Sequence, residues 1–147
     1  MKISVQQDDF DVSAELAALR AAQVGAIVSF VGTVRDVCSD NKIEYLELEH
    51  YPGMTEKSLE EIARQARQRW DICDGVIIHR FGRLPVSAQI VLVAVASQHR
   101  ASAFAACEFM MDSLKVQAPF WKKEIGADGA RWVAARLADL GVMRKWN

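Results

Sequence analysis

The segment from Asp112 to Glu124 most constrains the fold of this 147-residue chain, because it contains a forced change of secondary structure. The residues before it have the apolar periodicity of a helix, but Pro119 has no backbone N–H group and cannot continue one. Ala118, which precedes the proline, is disfavoured in the helical conformation. The chain then resumes as Phe-Trp-Lys-Lys-Glu, a strand-like run. The sequence therefore predicts a helix followed directly by a strand.

Two lysines flank this break, Lys115 just before it and Lys122 just after it. A helix-to-strand turn can direct both ammonium groups to one place, and the two aromatic residues beside them can exclude water. Burial lowers the pKa of a lysine, which can then serve as a base, a nucleophile or an anion clamp. The alternative is that both lysines are ordinary solvated charges, because lysine is rarely buried.

The remaining patterns predict an α+β fold with a mostly antiparallel or mixed sheet. Strand and helix patterns mingle without strict β-α-β alternation, and at least two hairpins are expected. The predicted strands are 2–5, 25–35, 43–51, 75–84, 88–97 and the run after Pro119. The predicted helices lie between Asp11 and Gly25 and over 55–70, 101–117 and 131–140. In the third of these, helical spacing places Phe104, Cys107, Met111 and Leu114 in the core.

The composition limits the classes of function. A content of 51% hydrophobic residues suits a globular core, and the length suits one domain over residues 1–147. A formal net charge of -1 gives no basic field for nucleic acid or acidic membranes. The longest uncharged apolar run, Ile90 to Ser97, is too short to span a bilayer, and the first residues lack a signal-peptide pattern. Three widely spaced cysteines fit a reduced, cytoplasmic protein.

A local anion site is the chemistry that the residues suggest. His99 and Arg100 stand at the predicted start of the long helix, where free N–H groups and the helix dipole favour anions. Arg35, at a predicted strand end, could add positive charge, although each of these residues could equally be an ordinary surface or capping residue. His50 and His79 are interpreted as structural, because no metal-ligand spacing is present. No P-loop, G-x-S-x-G or G-x-G-x-x-G motif occurs.

Several multi-residue motifs, in order, resemble the large subunit of molybdopterin synthase. The His79-Arg-Phe-Gly82 run resembles a strand end of that family, and the match spans about residues 25–124. The motifs are Phe-Val-Gly-Thr-Val-Arg at 30–35, Leu-Glu-His-Tyr-Pro-Gly-Met at 48–54, Ser-Gln-His-Arg at 97–100 and Leu-Lys-Val-Gln-Ala-Pro-Phe-Trp-Lys-Lys-Glu at 114–124.

The resemblance implies a fold and a reaction. The implied fold is an α/β hammerhead with a small additional β subdomain, paired as a homodimer of large subunits within a heterotetramer. The implied partner is a small ubiquitin-like sulfur carrier whose C-terminal Gly-Gly ends in a thiocarboxylate. Its tail would deliver sulfur to cyclic pyranopterin monophosphate and form the dithiolene of molybdopterin, as a step of molybdenum cofactor biosynthesis. The resemblance implies no metal or other cofactor of the large subunit's own.

The resemblance also implies roles for individual residues. Lys115 resembles the principal catalytic lysine, and Lys122 resembles the second active-site lysine. The substrate-binding positions that it implies are Arg35, Thr33, Val34, His99 and Arg100. The last two would reach the pocket from the neighbouring large subunit. Thr33 lies where some members carry a lysine.

Two other classes of function are compatible with the residues. One is a non-catalytic module that binds a ubiquitin-like partner. The other is a small-anion sensor that binds its effector at the helix start formed by His99 and Arg100. The presence of the full set of cationic pocket residues favours the enzyme over the binding module.

Overall fold

The computed structural model describes residues 1–38, 41–133 and 141–147. Its strands are β1 (Lys2–Gln6), β2 (Ala26–Thr33), β3 (Val37–Cys38), β4 (Asn41–Lys42), β5 (Tyr45–His50), β6 (Asp74–Arg80), β7 (Gly82–Pro85), β8 (Gln89–Ser97), β9 (Phe120–Gly126) and β10 (Gly129–Val133). Its helices are α1 (Val12–Ala17), α2 (Met54–Arg69), α3 (Arg100–Gln117) and a 3-10 turn at Val142–Trp146.

A mixed main sheet, in the strand order β1-β6-β8-β2, forms the centre of the molecule. Strand β1 pairs with β6 in parallel, and the other pairs are antiparallel. Alternate residues of β8 point to opposite faces: Val93 packs with α2 and α3, whereas Leu92 packs against the region around α1. Because both faces are covered, β8 is an almost continuous apolar run, as the sequence predicted.

A second, antiparallel sheet has the order β10-β9-β5-β7. Its buried face forms a smaller apolar cluster that includes Leu46, Leu48 and Leu84. Ile90 packs against this cluster and also against the main core, so the two sheets share packing. The α+β class with antiparallel and mixed sheets is therefore confirmed.

The predicted break after the long helix is confirmed. Helix α3 ends at Gln117, and Ala118 is extended, with φ −79° and ψ 133°. The Ala118 N–H still donates to the Leu114 carbonyl, so the last helical bond is kept. Pro119 then leads into β9, because it cannot donate a further helical bond.

The predicted single strand over 75–84 was wrong, because the chain changes sheets within it. Strand β6 ends at Arg80 and pairs with β8, whereas β7 begins at Gly82 and pairs with β5. Gly82 has a φ of +92°, a conformation that L side chains rarely adopt and that ends the first strand. The glycine in the His-Arg-Phe-Gly run therefore marks the passage between the two sheets.

Three helix predictions need correction. Helix α1 ends at Ala17, well before Gly25, although Asp11 caps it as expected. Phe104 was predicted in the core but is 62% exposed, whereas the other three members of its predicted stripe are buried. Residues 129–133, which overlap the predicted helix over 131–140, form a strand because they pair in register with β9, and residues 134–140 lie outside the described residues.

No helix in residues 1–38, 41–133 and 141–147 is long and apolar enough to cross a membrane.

We predict that Gly25→Ala destabilises the fold. A Cβ atom at this position would lie 2.3 Å from the Gln98 carbonyl oxygen, so the segment that leads into α3 must shift. Overpacking of this kind costs about 1–3 kcal/mol. Gly141→Ala is the matched control, because a Cβ there meets nothing within 4 Å. Urea denaturation measures both variants, and equal stabilities would contradict the prediction.

Candidate active site

The break at Pro119 places the two lysines on adjoining elements. Lys115 lies in the last turn of α3 and is exposed. Lys122 is half-buried in β9 and pairs with Leu48 of β5, so both side chains are on the buried face of the second sheet. Lys123 lies on the opposite face, 3.8 Å from the carboxylate of Glu47. Lys122, which the sequence analysis selected, therefore points to the buried face of the second sheet, whereas Lys123 points to its other face.

The buried imidazole of His79 is influenced electrostatically by both lysines. Burial lowers its pKa from the ordinary 6.5 to about 3, against a hydrogen bond to the Arg80 carbonyl that raises it. The charges on Lys115 and Lys122 lower the pKa further, as does His50. The convergence of the two lysines on one spot stays a prediction, and Lys115 is exposed, not buried.

Two aromatic contacts surround the same place. The His79 ring stacks on Phe120, with centroids 3.7 Å apart and planes inclined by 17°. His50 packs against Phe81 at 4.5 Å and lies 6.1 Å from Phe120. The first aromatic residue after the proline therefore lines the region of the lysines. Trp121 points to the other face of β9 and is 49% exposed.

The end of β2 carries the next set of predicted site residues. A register shift between Gly32 and Thr33 confirms the bulge that the glycine suggested. Val34 is buried, its N–H donates to the Ala88 carbonyl at 3.0 Å, and its own carbonyl accepts from the Ser87 N–H at 2.8 Å. Its side chain faces the small apolar cluster, so both its side chain and its backbone are anchored within the chain. Thr33 and Arg35 are exposed on either side of it.

His99 and Arg100 occupy the other end of α3. His99 is the N-cap residue, with φ −127° and ψ 148° and no side-chain capping bond, and both side chains are exposed. Arg100 precedes Lys115 by fifteen residues, which is about 22 Å along a helix. A single chain therefore does not bring this pair to the lysines.

The cationic set thus forms two groups on one chain. At one end of α3, Lys115 is followed after the Pro119 break by Lys122 of β9. Strand β2 ends at the same end of the main sheet because it runs antiparallel to β8. The strand β8 leads into α3 at the opposite end, where His99 begins the helix. A pocket that contains both groups requires a second copy of the chain.

Sulfur chemistry on a cysteine has little support from Cys107. Burial raises the pKa of this thiol to about 11, so it is not a thiolate near neutral pH. Among the residues that the structure describes, no three His, Cys, Asp or Glu side chains gather closely enough to hold a metal ion.

Sequence reasoning interpreted His50 and His79 as purely structural and did not place them beside the lysines. The signal was present in the His-Arg-Phe-Gly run, in which β6 ends at Arg80, directly after His79, and Gly82 begins β7. The role of His79 could not be predicted from this run alone, because it depends on α3 and β9 lying beside the end of β6.

Known proteins of similar sequence cover nearly all of the chain. A molybdopterin synthase catalytic subunit from Ralstonia nicotianae is 59% identical over 147 residues, covering 99% of this chain and 84% of that protein. One from Vibrio cholerae is 50% identical and covers 99% of this chain and 98% of that protein.

Solved structures agree with these sequence matches. A molybdopterin biosynthesis MoaE protein from Burkholderia ambifaria is 54% identical with a TM-score of 0.85, covering 99% of this chain and 97% of that one. The molybdopterin synthase structure from Staphylococcus aureus is 35% identical with a TM-score of 0.83, covering 88% and 95%. The sequence profile of the family described as MoaE protein matches residues 5–117. By sequence and by fold, this chain belongs to the MoaE family.

Proposed function

We propose that this chain is the catalytic large subunit of a molybdopterin synthase and acts in the cytoplasm. Relatives that are 47–59% identical over 99% of the chain carry the name of that catalytic subunit. The proposed reaction moves sulfur from the thiocarboxylated Gly-Gly tail of a small ubiquitin-like subunit to cyclic pyranopterin monophosphate. Two transfers form the dithiolene. We also propose that residues 1–147 act as one domain, because the two sheets share packing at Ile90.

The observation that carries the proposal is that Lys115 and Lys122 flank the break between α3 and β9 and that the charges of both act on one buried imidazole, that of His79. Both participants in the proposed reaction are anions, a cyclic phosphate and a thiocarboxylate, and the chain as a whole is nearly neutral. Two ammonium groups at one place supply the local attraction that the net charge does not. They also supply protons and stabilise developing charge while sulfur replaces oxygen.

The remaining cations are proposed to hold the substrate. Arg35 and Thr33 are exposed at the end of β2, on either side of the anchored Val34, and can present a guanidinium and a hydroxyl to a ligand. Arginine binds phosphate oxygens through two parallel N–H donors. Val34 would contribute by anchoring the backbone between these two residues, because its side chain is in the apolar cluster and its N–H and carbonyl are bonded to Ala88 and Ser87.

We propose that His99 and Arg100 of one copy complete the site of another copy. Their distance from Lys115 along α3 is about 22 Å, too far for one small phosphorylated ligand to contact both. The surface between the two ends is suited to pairing: β2 is an edge strand of the main sheet, and Phe30 on it and Phe104 on α3 are 41% and 62% exposed. A two-fold dimer would then contain two complete sites.

We predict that Lys115→Ala abolishes dithiolene formation while binding of the small subunit persists. The substitution removes the ammonium group but leaves the exposed face of α3 otherwise intact. The measurement is product formation from thiocarboxylated small subunit and the pterin precursor, with calorimetry for binding. Near-normal turnover would contradict the assigned role, and a wild type that binds the small subunit without turnover would indicate a non-catalytic module.

We predict that Lys122→Ala lowers turnover at least about 100-fold, the usual scale for losing a positioned acid or charge donor. Lys123→Ala is the matched control, since it is the neighbouring lysine on the opposite face of β9 and pairs with Glu47. It should retain turnover. Equal losses in the two variants would mean that the effect belongs to the strand and not to the direction of the ammonium group.

We predict that inactive Lys115→Ala and Arg100→Ala chains complement each other. When equal amounts of the two are unfolded and refolded together, half of the dimers are mixed, and each mixed dimer holds one intact site. Activity should return to about one quarter of wild type if the sites are shared across a two-fold dimer. No recovery, with mixed dimers present by mass spectrometry, would mean that Arg100 acts within its own chain.

A further inference from the structure

The imidazole of His79 is fixed in one tautomer by its backbone neighbour. Its Nδ1 atom lies 2.8 Å from the Arg80 carbonyl oxygen. A carbonyl only accepts hydrogen bonds, so Nδ1 carries the proton and a neutral ring has its lone pair on Nε2. The histidine therefore enters the site as a hydrogen-bond acceptor.

The position of this ring is equally fixed. His79 lies two residues after Ile77 and therefore on the same face of the main sheet, which α2 and α3 cover. It is the next-to-last residue of β6. Phe120 stacks on it from β9 at 3.7 Å. Phe120, the first residue after Pro119, therefore packs the segment between the two lysines against this imidazole.

The groups that act on His79 are basic. Those that lower its pKa by their charge are Lys115 from α3, Lys122 from β9 and His50 from β5, whereas the Arg80 carbonyl raises it through a hydrogen bond. Burial, together with these charges, lowers the pKa of His79 to about 3, so the ring is neutral. Near neutral pH the ring adds no charge to the site and retains its free lone pair.

We propose that His79 is a positioning residue for the two lysines, offering them a neutral acceptor and fixing the turn between them through Phe120. This inference rests on the proposed function of the lysines. A carboxylate in the same place would also orient an ammonium group, but it would cancel the positive charge that attracts the phosphate and the thiocarboxylate. A neutral imidazole orients the ammonium group and leaves its charge for the substrate.

Three substitutions distinguish the role of His79 as a hydrogen-bond acceptor from its role in packing against Phe120. His79→Phe keeps an aromatic ring for stacking on Phe120 but has no acceptor. His79→Gln can place its amide oxygen near the position of Nε2 and restores an acceptor without the ring. His79→Leu removes both. Each is assayed as the complex with thiocarboxylated small subunit, with thermal melting as a check on folding.

We expect His79→Phe to lose about 10- to 100-fold in kcat with KM for the small subunit unchanged, because misplacement of a reacting group by about 1 Å costs up to that factor. His79→Gln should recover most of that loss, and His79→Leu should lose the most. Wild-type kcat in a folded His79→Phe variant would overturn the inference. So would a folded His79→Gln variant that is no more active than His79→Phe.

Nitrogen NMR on the wild-type protein provides a second test that needs no variant. We expect the His79 signals of a neutral ring with its proton on Nδ1 from about pH 8 down to about pH 5. A ring that gains a proton near pH 6.5, or carries it on Nε2, would overturn the inference. If the wild type forms no dithiolene at all, the proposed function fails, whereas the NMR result still decides whether His79 is a neutral acceptor.

Discussion

The stack of His79 on Phe120 joins the two sheets at the place where the chemistry is proposed. His79 ends the region of β6 that belongs to the main sheet, and Phe120 begins β9 in the second sheet. Aromatic pairs contribute about 0.5–1.5 kcal/mol beyond the area that they bury. The stack also holds the start of β9 against the end of β6.

This arrangement explains how a nearly neutral protein can have a strongly cationic site. The cations are spread along the sequence from Arg35 to Lys122, and only His99 and Arg100 are adjacent in sequence. Folding brings some of them to one end of α3 and leaves the others at its opposite end. Within one chain, the length of α3 separates the lysines from His99 and Arg100. In the proposed dimer, the second copy would bring its own His99 and Arg100 to the lysines of the first. The site would be assembled only when the chains are paired.

Much of the fold could be predicted from local patterns. The proline break, the Asp11 N-cap and the apolar run of β8 are properties of a few consecutive residues, and the structure confirms them, whereas the helix end predicted at Gly25 was wrong. The errors concern long-range pairing. The strand over 75–84 is two strands because each half finds a different partner, and residues 129–133 form a strand because β9 lies beside them. Phe104 was wrongly predicted in the core, because periodicity shows which residues share a helix face but not how far other elements cover that face.

The site was less predictable than the fold, because the sequence indicated its cationic residues but not how the fold arranges them. The residue types and the break between the lysines indicated anion chemistry, and the family motifs gave the roles that are proposed above. His79 was interpreted as structural because its value to the site depends on elements distant in sequence. The separation of His99 from Lys115 follows from helix geometry once α3 is known to be continuous from Arg100 to Gln117.

The turn that anchors Val34 has a consequence for how Arg35 meets a ligand. Ser87, whose N–H binds the Val34 carbonyl, has a φ of +74°, a conformation that costs a residue with a side chain roughly 1 kcal/mol. The fold tolerates this cost in the turn that immobilises the end of β2. Arg35 therefore leaves a rigid backbone, and only its side chain must lose freedom when it closes on an anion. If Arg35 binds the substrate as proposed, the strained Ser87 turn beside it lowers the entropy that the end of β2 must lose on binding.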